Sequence, residues 1–210
     1  DAYWIDQTEV TNAMYATFLN QVENQGEKEF IWMDSESRYA RIHLSDSTWK
    51  ADPEYEEHPV IKVTWYGAQA YCEWMGRRLP TEAEWEKAAR GTDGRTYPWG
   101  VGINCSMANY AGCIGESAVV GSFPNGASIY GVLDMVGNVW EWTADWYGND
   151  YYENSPASNP QGPSKGVQRV ARGGSWKIWE LGLHLANRIS IPPEFPLTDT
   201  GFRCALSAGS

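Results

Sequence analysis

Aromatic side chains constrain the fold of this chain more than any other feature. Its 210 residues include 12 Trp, 12 Tyr and 5 Phe, together 14% of the sequence. Each tryptophan buries a very large apolar area, so a chain this rich in them is stable with little regular secondary structure. We expect most of these rings in the core, which leaves the others available to a binding surface. Abundant glycine (21) and proline (11) favour a loop-rich domain.

Charge and hydropathy exclude two classes of partner. The formal net charge is −11 and the pI about 4.7, which disfavours binding to nucleic acid because phosphates would be repelled. Arg77 and Arg78 form an isolated basic pair rather than a stripe. Apolar runs fall far short of the ~20 residues of a membrane span, so we expect no membrane insertion. Because the chain starts at Asp1, its N-terminus does not indicate a compartment.

Periodicity and capping residues predict helices in three places. Apolar residues repeat at helical spacing over residues 13–22, behind Thr11 or Asn12 as the N-cap. A second helix is predicted over 66–75, ended by a glycine. The third begins after Thr81, whose partner in a capping box is Glu84, and continues to residue 90.

The remaining segments have short, interrupted patterns. Residues 23–57 are polar and aperiodic, with short strands at most, and β-type runs occur at 139–142, 167–171 and 201–206. We therefore predict a single α+β domain over residues 1–210, with two principal helices, short antiparallel strands and dominant loops.

Four groups of motifs stand in a characteristic order. They are Trp4-Ile5-Asp6 with Glu9-Val10-Thr11-Asn12; His58-Pro59-Val60 leading to Gly76-Arg77-Arg78-Leu79-Pro80-Thr81-Glu82-Ala83-Glu84-Trp85-Glu86; Gly137-Asn138-Val139-Trp140-Glu141-Trp142; and Arg172-Gly173-Gly174-Ser175-Trp176 with Gly201-Phe202-Arg203-Cys204. Together they resemble the formylglycine-generating enzyme family, also called the sulfatase-modifying factor domain. The resemblance covers nearly the whole chain except the loops at about 23–57 and 147–168. It implies a C-type-lectin-like fold whose C-terminal segment builds a displayed face. Because the family has a further strand before the first motif, we expect a piece trimmed at its N-terminus.

The resemblance also bears on catalysis. Enzymes of the family oxidise a cysteine of a substrate peptide to formylglycine with two cysteines of their own and bound copper, a metal that thiolates suit. At the matching positions this chain has Ile178 and Leu183. We therefore expect no catalytic residues and no copper, and predict that the chain is not an enzyme. The alternative is an oxidase of the formylglycine-generating type or another oxidoreductase of the same fold.

A calcium site is a further implication of the resemblance. The segment 134–141 resembles a calcium loop of the family, with side-chain oxygens from Asp134 and Glu141 and carbonyl oxygens from Gly137 and Val139. Calcium prefers six to eight such hard oxygen ligands. We expect a structural Ca²⁺ here. The alternative is a loop without metal, in which Glu141 accepts hydrogen bonds from backbone amides.

The four cysteines admit several states. Cys105 and Cys113 are at a spacing that suits a disulfide, which would fit an oxidising setting, but two reduced cysteines are almost equally compatible. Cys72 lies in a predicted helix and is expected to be a small buried hydrophobe. Cys204 is expected in the core. The overall preference is for a surface-exposed or extracellular location.

The segment between the last two motifs carries the candidate binding residues. Apolar side chains are dense there but follow neither helical nor strand periodicity, which indicates irregular core or an exposed binding patch. Such a patch favours a protein or peptide ligand, and His184 suits ligand contact better than catalysis. The predicted binding residues are Trp176, Lys177, Ile178, Trp179, Glu180, Leu181, Leu183, His184, Ile189, Ile191, Phe195 and Leu197.

Two interpretations of this segment are open. It also resembles the variable region of proteins diversified by retroelements, which share this fold and end in Gly-Phe-Arg. The other interpretation is a module of fixed specificity, such as a sensor domain of a larger signalling protein.

Overall fold

Three α-helices form close to the three places predicted for them in the described part of the chain. The computed structural model describes residues 1–22, 26–27 and 30–209, with α1 at Asn12–Gln21, α2 at Trp65–Trp74 and α3 at Glu82–Arg90. A threonine hydroxyl caps each helix, and the predicted capping box of α3 is present. Instead of the two principal helices expected, the described part of the chain has three helices of similar length. None of the helices in these ranges is long and apolar enough to cross a membrane.

Short strands complete an α+β architecture, as predicted. The central sheet has the order β8-β7-β6-β9, in which β6 and β9 run parallel and the other pairs antiparallel. Three two-stranded antiparallel sheets pair β1 with β10, β2 with β3 and β4 with β5. The strands are β1 Tyr3–Ile5, β2 Gly26–Glu27, β3 Phe30–Ile31, β4 Ile42–Ser45, β5 Thr48–Ala51, β6 Trp140–Trp146, β7 Arg169–Arg172, β8 Arg188–Ile191, β9 Thr200–Gly201 and β10 Ala205–Ser207.

The core consists of two apolar clusters rich in aromatic rings. The larger lies between α1, α2 and the central sheet and includes Trp142 and Phe202, both fully buried. The smaller lies beneath α3 and contains Trp85, together with Leu183 from the C-terminal segment. Burial of aromatic rings, rather than long helices or strands, is therefore the main source of stability.

Two disulfides account for all four cysteines. The Cys105–Cys113 bridge is formed, rather than the reduced pair. The second bridge joins Cys72 of α2 to Cys204. Both of these residues are buried as predicted, but the expectation that Cys72 is an unpaired hydrophobe is wrong, because the fold brings it beside a residue 132 positions away.

Asp145 of β6 makes the stability of the fold depend on pH. Its Oδ2 accepts the backbone N–H of Glu82 at the start of α3, whereas its buried Oδ1 has no hydrogen-bond partner among the described residues. Burial, with a further contribution from Glu82, raises the pKa of Asp145 to about 7, although that backbone hydrogen bond and Arg188 oppose the rise. The folded protein therefore binds a proton at this site that the unfolded chain releases near pH 4.

We expect wild-type stability to fall, relative to Asp145→Asn, as pH rises from about 4 to about 7. The slope approaches about 1 kcal/mol per pH unit, because the folded state holds the extra proton in that window. Asparagine keeps an acceptor for the Glu82 amide but does not titrate. Urea unfolding of both proteins at several pH values measures the difference, and parallel curves would contradict the assignment.

Candidate ligand-binding face

A tight turn after β7 directs the C-terminal segment across the molecule. Gly174 has φ of +80°, and a Cβ there would lie 2.3 Å from the Leu183 side chain, so only glycine fits. The Ser175 hydroxyl donates to Asp199 Oδ2 at 2.7 Å, and the Trp176 N–H donates to the Asn138 carbonyl at 2.9 Å. These bonds fix the start of residues 176–183, which we call the display turn.

The display turn exposes its centre, and the apolar residues on either side of that centre pack inwards. Ile178 packs against both core clusters, and Leu183 lies inside the smaller one. Between them a single 3₁₀ turn, Glu180–Gly182, holds Trp179 at 72% exposure and Leu181 at 83%. Neighbouring large apolar side chains that are exposed to solvent are a feature of binding surfaces.

The structure divides the predicted binding residues into three sets. Leu183 and Ile191 are buried, so the expectation that they belong to a displayed surface is wrong; one fills the smaller cluster and the other the larger. A second, partly buried set packs against the core: Ile178, Ile189 and Leu197. The remaining residues reach solvent, Trp176 only partly: Trp176, Lys177, Trp179, Glu180, Leu181, His184 and Phe195.

Two of these solvent-accessible side chains have specific partners. The ammonium group of Lys177 is 3.4 Å from Asp199 Oδ1 and 4.9 Å from the centre of the Trp176 ring. The His184 ring meets Tyr97 edge to face at 5.6 Å. His184 therefore lies at an aromatic edge, which suits contact with a ligand.

Sequence reasoning missed a second chain segment at this face. The loop 105–113, closed by its disulfide, contacts the display turn, because the Ala111 N–H donates to the Ile178 carbonyl at 3.0 Å. Ile114, directly after this loop, is exposed. The spacing of Cys105 and Cys113 indicated a closed loop, but nothing local indicated which surface it would join.

In the predicted calcium loop, the hydrogen-bond donors to Glu141 differ from those expected. Glu141 is fully buried, and Arg203 donates to both of its oxygens, at 2.7 and 2.8 Å. Trp85 Nε1 donates to Oε2 at 2.9 Å. The donors to Glu141 are therefore side chains, not the backbone amides of the metal-free alternative, and the guanidinium places a positive charge against this carboxylate.

Asp134, the other carboxylate of the predicted calcium set, also has a hydrogen-bond partner. Its Oδ2 accepts the Gly121 N–H. Burial raises the pKa of Asp134, and burial together with Asp134 raises that of Glu9 well above its usual value. Because Arg203 binds both oxygens of Glu141, this carboxylate would have to change its partner to serve a cation that needs several hard oxygen ligands.

We expect calcium to have no effect on the stability of this domain. Because Arg203 already neutralises Glu141, Ca²⁺ would have to displace a buried ion pair before it could bind. Thermal unfolding in excess Ca²⁺ and in EGTA measures this, with Mg²⁺ as the control cation. A Tm that rises specifically with Ca²⁺ would restore the expected site, including the carbonyls of Gly137 and Val139.

This architecture defines a C-type-lectin-like domain, and the family follows from its sequence. Residues 1–208 match the model of the sulfatase-modifying factor enzyme 1-like domain. The chain belongs to this family, as the motifs predicted.

Three relatives illustrate the range of proteins that contain this domain. The chain is 41% identical over 207 residues to "Serine/threonine-protein kinase pkn1" of Chlamydia pneumoniae, covering 97% of this chain but only 33% of the kinase. It is 34% identical to the formylglycine-generating enzyme of Streptomyces coelicolor, covering 98% of this chain and 78% of the enzyme. It is also 34% identical to the mouse "Inactive C-alpha-formylglycine-generating enzyme 2", covering 98% and 75%.

Solved structures show the same fold in proteins of low sequence identity. Treponema denticola variable protein 1 superposes with a TM-score of 0.71 at 24% identity, covering 98% of this chain and 84% of that one. The I1 variant of Major Tropism Determinant gives 0.55 at 17% identity, covering 98% and 50%.

Proposed function

We propose that this domain is a non-catalytic module that binds a protein or peptide ligand through the display turn. The observation that carries this proposal is the pair Trp179 and Leu181, held in solvent between the anchors Ile178 and Leu183. A tryptophan offers a large contact area with few rotatable bonds, which favours recognition of a protein surface. The fold is shared with proteins named variable protein and Major Tropism Determinant, and the second name refers to tropism rather than to catalysis.

The chemistry of the display turn argues against an oxidase. Ile178 and Leu183 stand where family enzymes have cysteines, and both fill apolar core with hydrocarbon. The four cysteines are paired in two disulfides elsewhere, so no thiolate is available to copper. A relative named as inactive shows that the family includes members described as non-catalytic.

Copper binding and peptide oxidation test this part of the proposal directly. We expect the intact protein neither to bind Cu(I) tightly nor to consume oxygen with a cysteine-containing peptide, because soft thiolate ligands are missing. Competition with a chromophoric Cu(I) chelator and mass spectrometry of the peptide provide the two measurements. The Streptomyces coelicolor relative, assayed in parallel, is the positive control. Formylglycine in the peptide would overturn the proposal.

A diversified binding face is a second, finer candidate, favoured by the likeness to a variable protein. In that case a near-copy of the codons for residues 173–203, differing mainly at adenines, lies close to the gene. If both this near-copy and a reverse transcriptase gene are absent, the remaining interpretation is a module of fixed specificity. The Chlamydia kinase, of which this chain covers 33%, gives an example of a similar sequence within a longer chain.

Two disulfides favour an oxidising compartment for this domain. We therefore propose a surface-exposed or extracellular location, where a binding face meets its partner. The net charge of −11 argues against nucleic acid as that partner.

A further inference from the structure

The loop closed by Cys105 and Cys113 lies beside the most exposed ring of the display turn. Gly112 faces this ring, because a Cβ built on Gly112 would stand 3.7 Å from a Trp179 ring atom. Next to it, the Ala111 N–H donates to the Ile178 carbonyl. Two consecutive loop residues are therefore next to two consecutive residues of the turn.

This loop is anchored at its centre. The Asn109 side chain is buried and donates to the Glu116 carbonyl at 2.7 Å, and Tyr110 packs against the smaller core cluster. Gly112, next to Cys113, is exposed and has φ of +94°. The disulfide is the covalent tie that closes the loop between residues 105 and 113.

The two disulfides differ sharply in access. Cys72 and Cys204 are buried in the larger cluster, whereas Cys105 is exposed and Cys113 partly exposed. Thiol–disulfide exchange requires the attacking thiolate to reach a sulfur atom. A reductant in solution therefore reaches the loop disulfide long before the core disulfide.

We infer that the Cys105–Cys113 disulfide is a redox-sensitive latch that holds the Trp179 side of the display turn in place. A dithiol attacks one sulfur as a thiolate and forms a mixed disulfide, releasing the other cysteine. Its second thiolate then displaces the first cysteine. Two electrons and two protons pass to the protein, which gains two thiols, while the dithiol becomes a cyclic disulfide. A further expectation, that reduction also weakens ligand binding, rests on the proposed function.

Hydrogen exchange on the intact chain tests the latch without any ligand. Dithiothreitol is titrated until alkylation and mass spectrometry show Cys105 and Cys113 modified and Cys72 and Cys204 intact. We expect exchange of the Ala111 amide and of residues 177–182 to rise at least about fivefold, because their restraint is local. The Leu185 amide, bonded to the Thr96 carbonyl, serves as an internal reference that stays protected.

Matched variants separate the latch from general loosening. Cys105→Ser with Cys113→Ser reproduces the faster exchange without reductant, whereas Trp179→Ala removes the ring but leaves the Ala111 amide protected. Unchanged exchange after selective reduction, or simultaneous alkylation of all four cysteines, overturns the inference. Because this readout needs no ligand, the latch stands or falls independently of the proposed function.

Discussion

Replacing Arg203 by alanine is expected to destabilise the domain by about 3–5 kcal/mol, because it breaks a buried ion pair from one side. The guanidinium is fully buried, binds both oxygens of Glu141, and donates to three backbone carbonyls: those of Asp6 and Gln7 at 3.0 Å and that of Leu133 at 2.9 Å. Alanine would leave a buried carboxylate without its counter-charge and these carbonyls without a donor. Thermal and urea unfolding measure the loss, which corresponds to a fall in Tm of roughly 10 °C.

Two companion variants make this result interpretable. Arg203→Lys keeps the charge but lacks the planar fork, so we expect an intermediate loss. Arg95→Ala breaks an ion pair with the exposed Asp93 and one hydrogen bond to the Pro98 carbonyl, and should lower the Tm far less. Equal effects of Arg203→Ala and Arg95→Ala would show that the buried pair does not hold the N-terminal segment to the sheet.

The helices were predictable because their signals are local. Thr81 and Glu84 are three residues apart, and their reciprocal hydrogen bonds join two residues at the start of one helix. Long-range pairs have no such signal: Glu141 and Arg203 are 62 positions apart, and the sequence offered calcium as the more obvious partner of Glu141. The same applies to the bridge from Cys72 to Cys204.

The binding face was predictable as a segment but not residue by residue. Its density of apolar side chains without periodicity indicated either core or surface, and the structure contains both. Two features decide which side chains of the turn point inwards. Gly174 contacts Leu183, which buries one end of the turn, and a single 3₁₀ turn follows Trp179. Neither has a pattern in the sequence that separates Leu181 from Leu183.

Removing the two exposed side chains of the display turn is expected to abolish ligand binding while leaving the fold unchanged. Hot-spot residues of protein interfaces contribute about 2 kcal/mol or more, so Trp179→Ala alone should weaken binding about 30-fold, and the double variant with Leu181→Ala should weaken it further. Both side chains make few contacts within the domain, so the Tm should stay within a degree or two of wild type.

A second exposed tryptophan in the same chain provides the control for this prediction. Trp4 on β1 is 71% exposed, close to the 72% of Trp179, but lies outside the display turn. Wild type, Trp4→Ala and the double variant are immobilised in parallel, and any protein that wild type retains is then titrated against each. A partner that binds the double variant as tightly as wild type would place recognition on another surface. Loss of Trp179 would then affect binding no more than loss of the equally exposed Trp4.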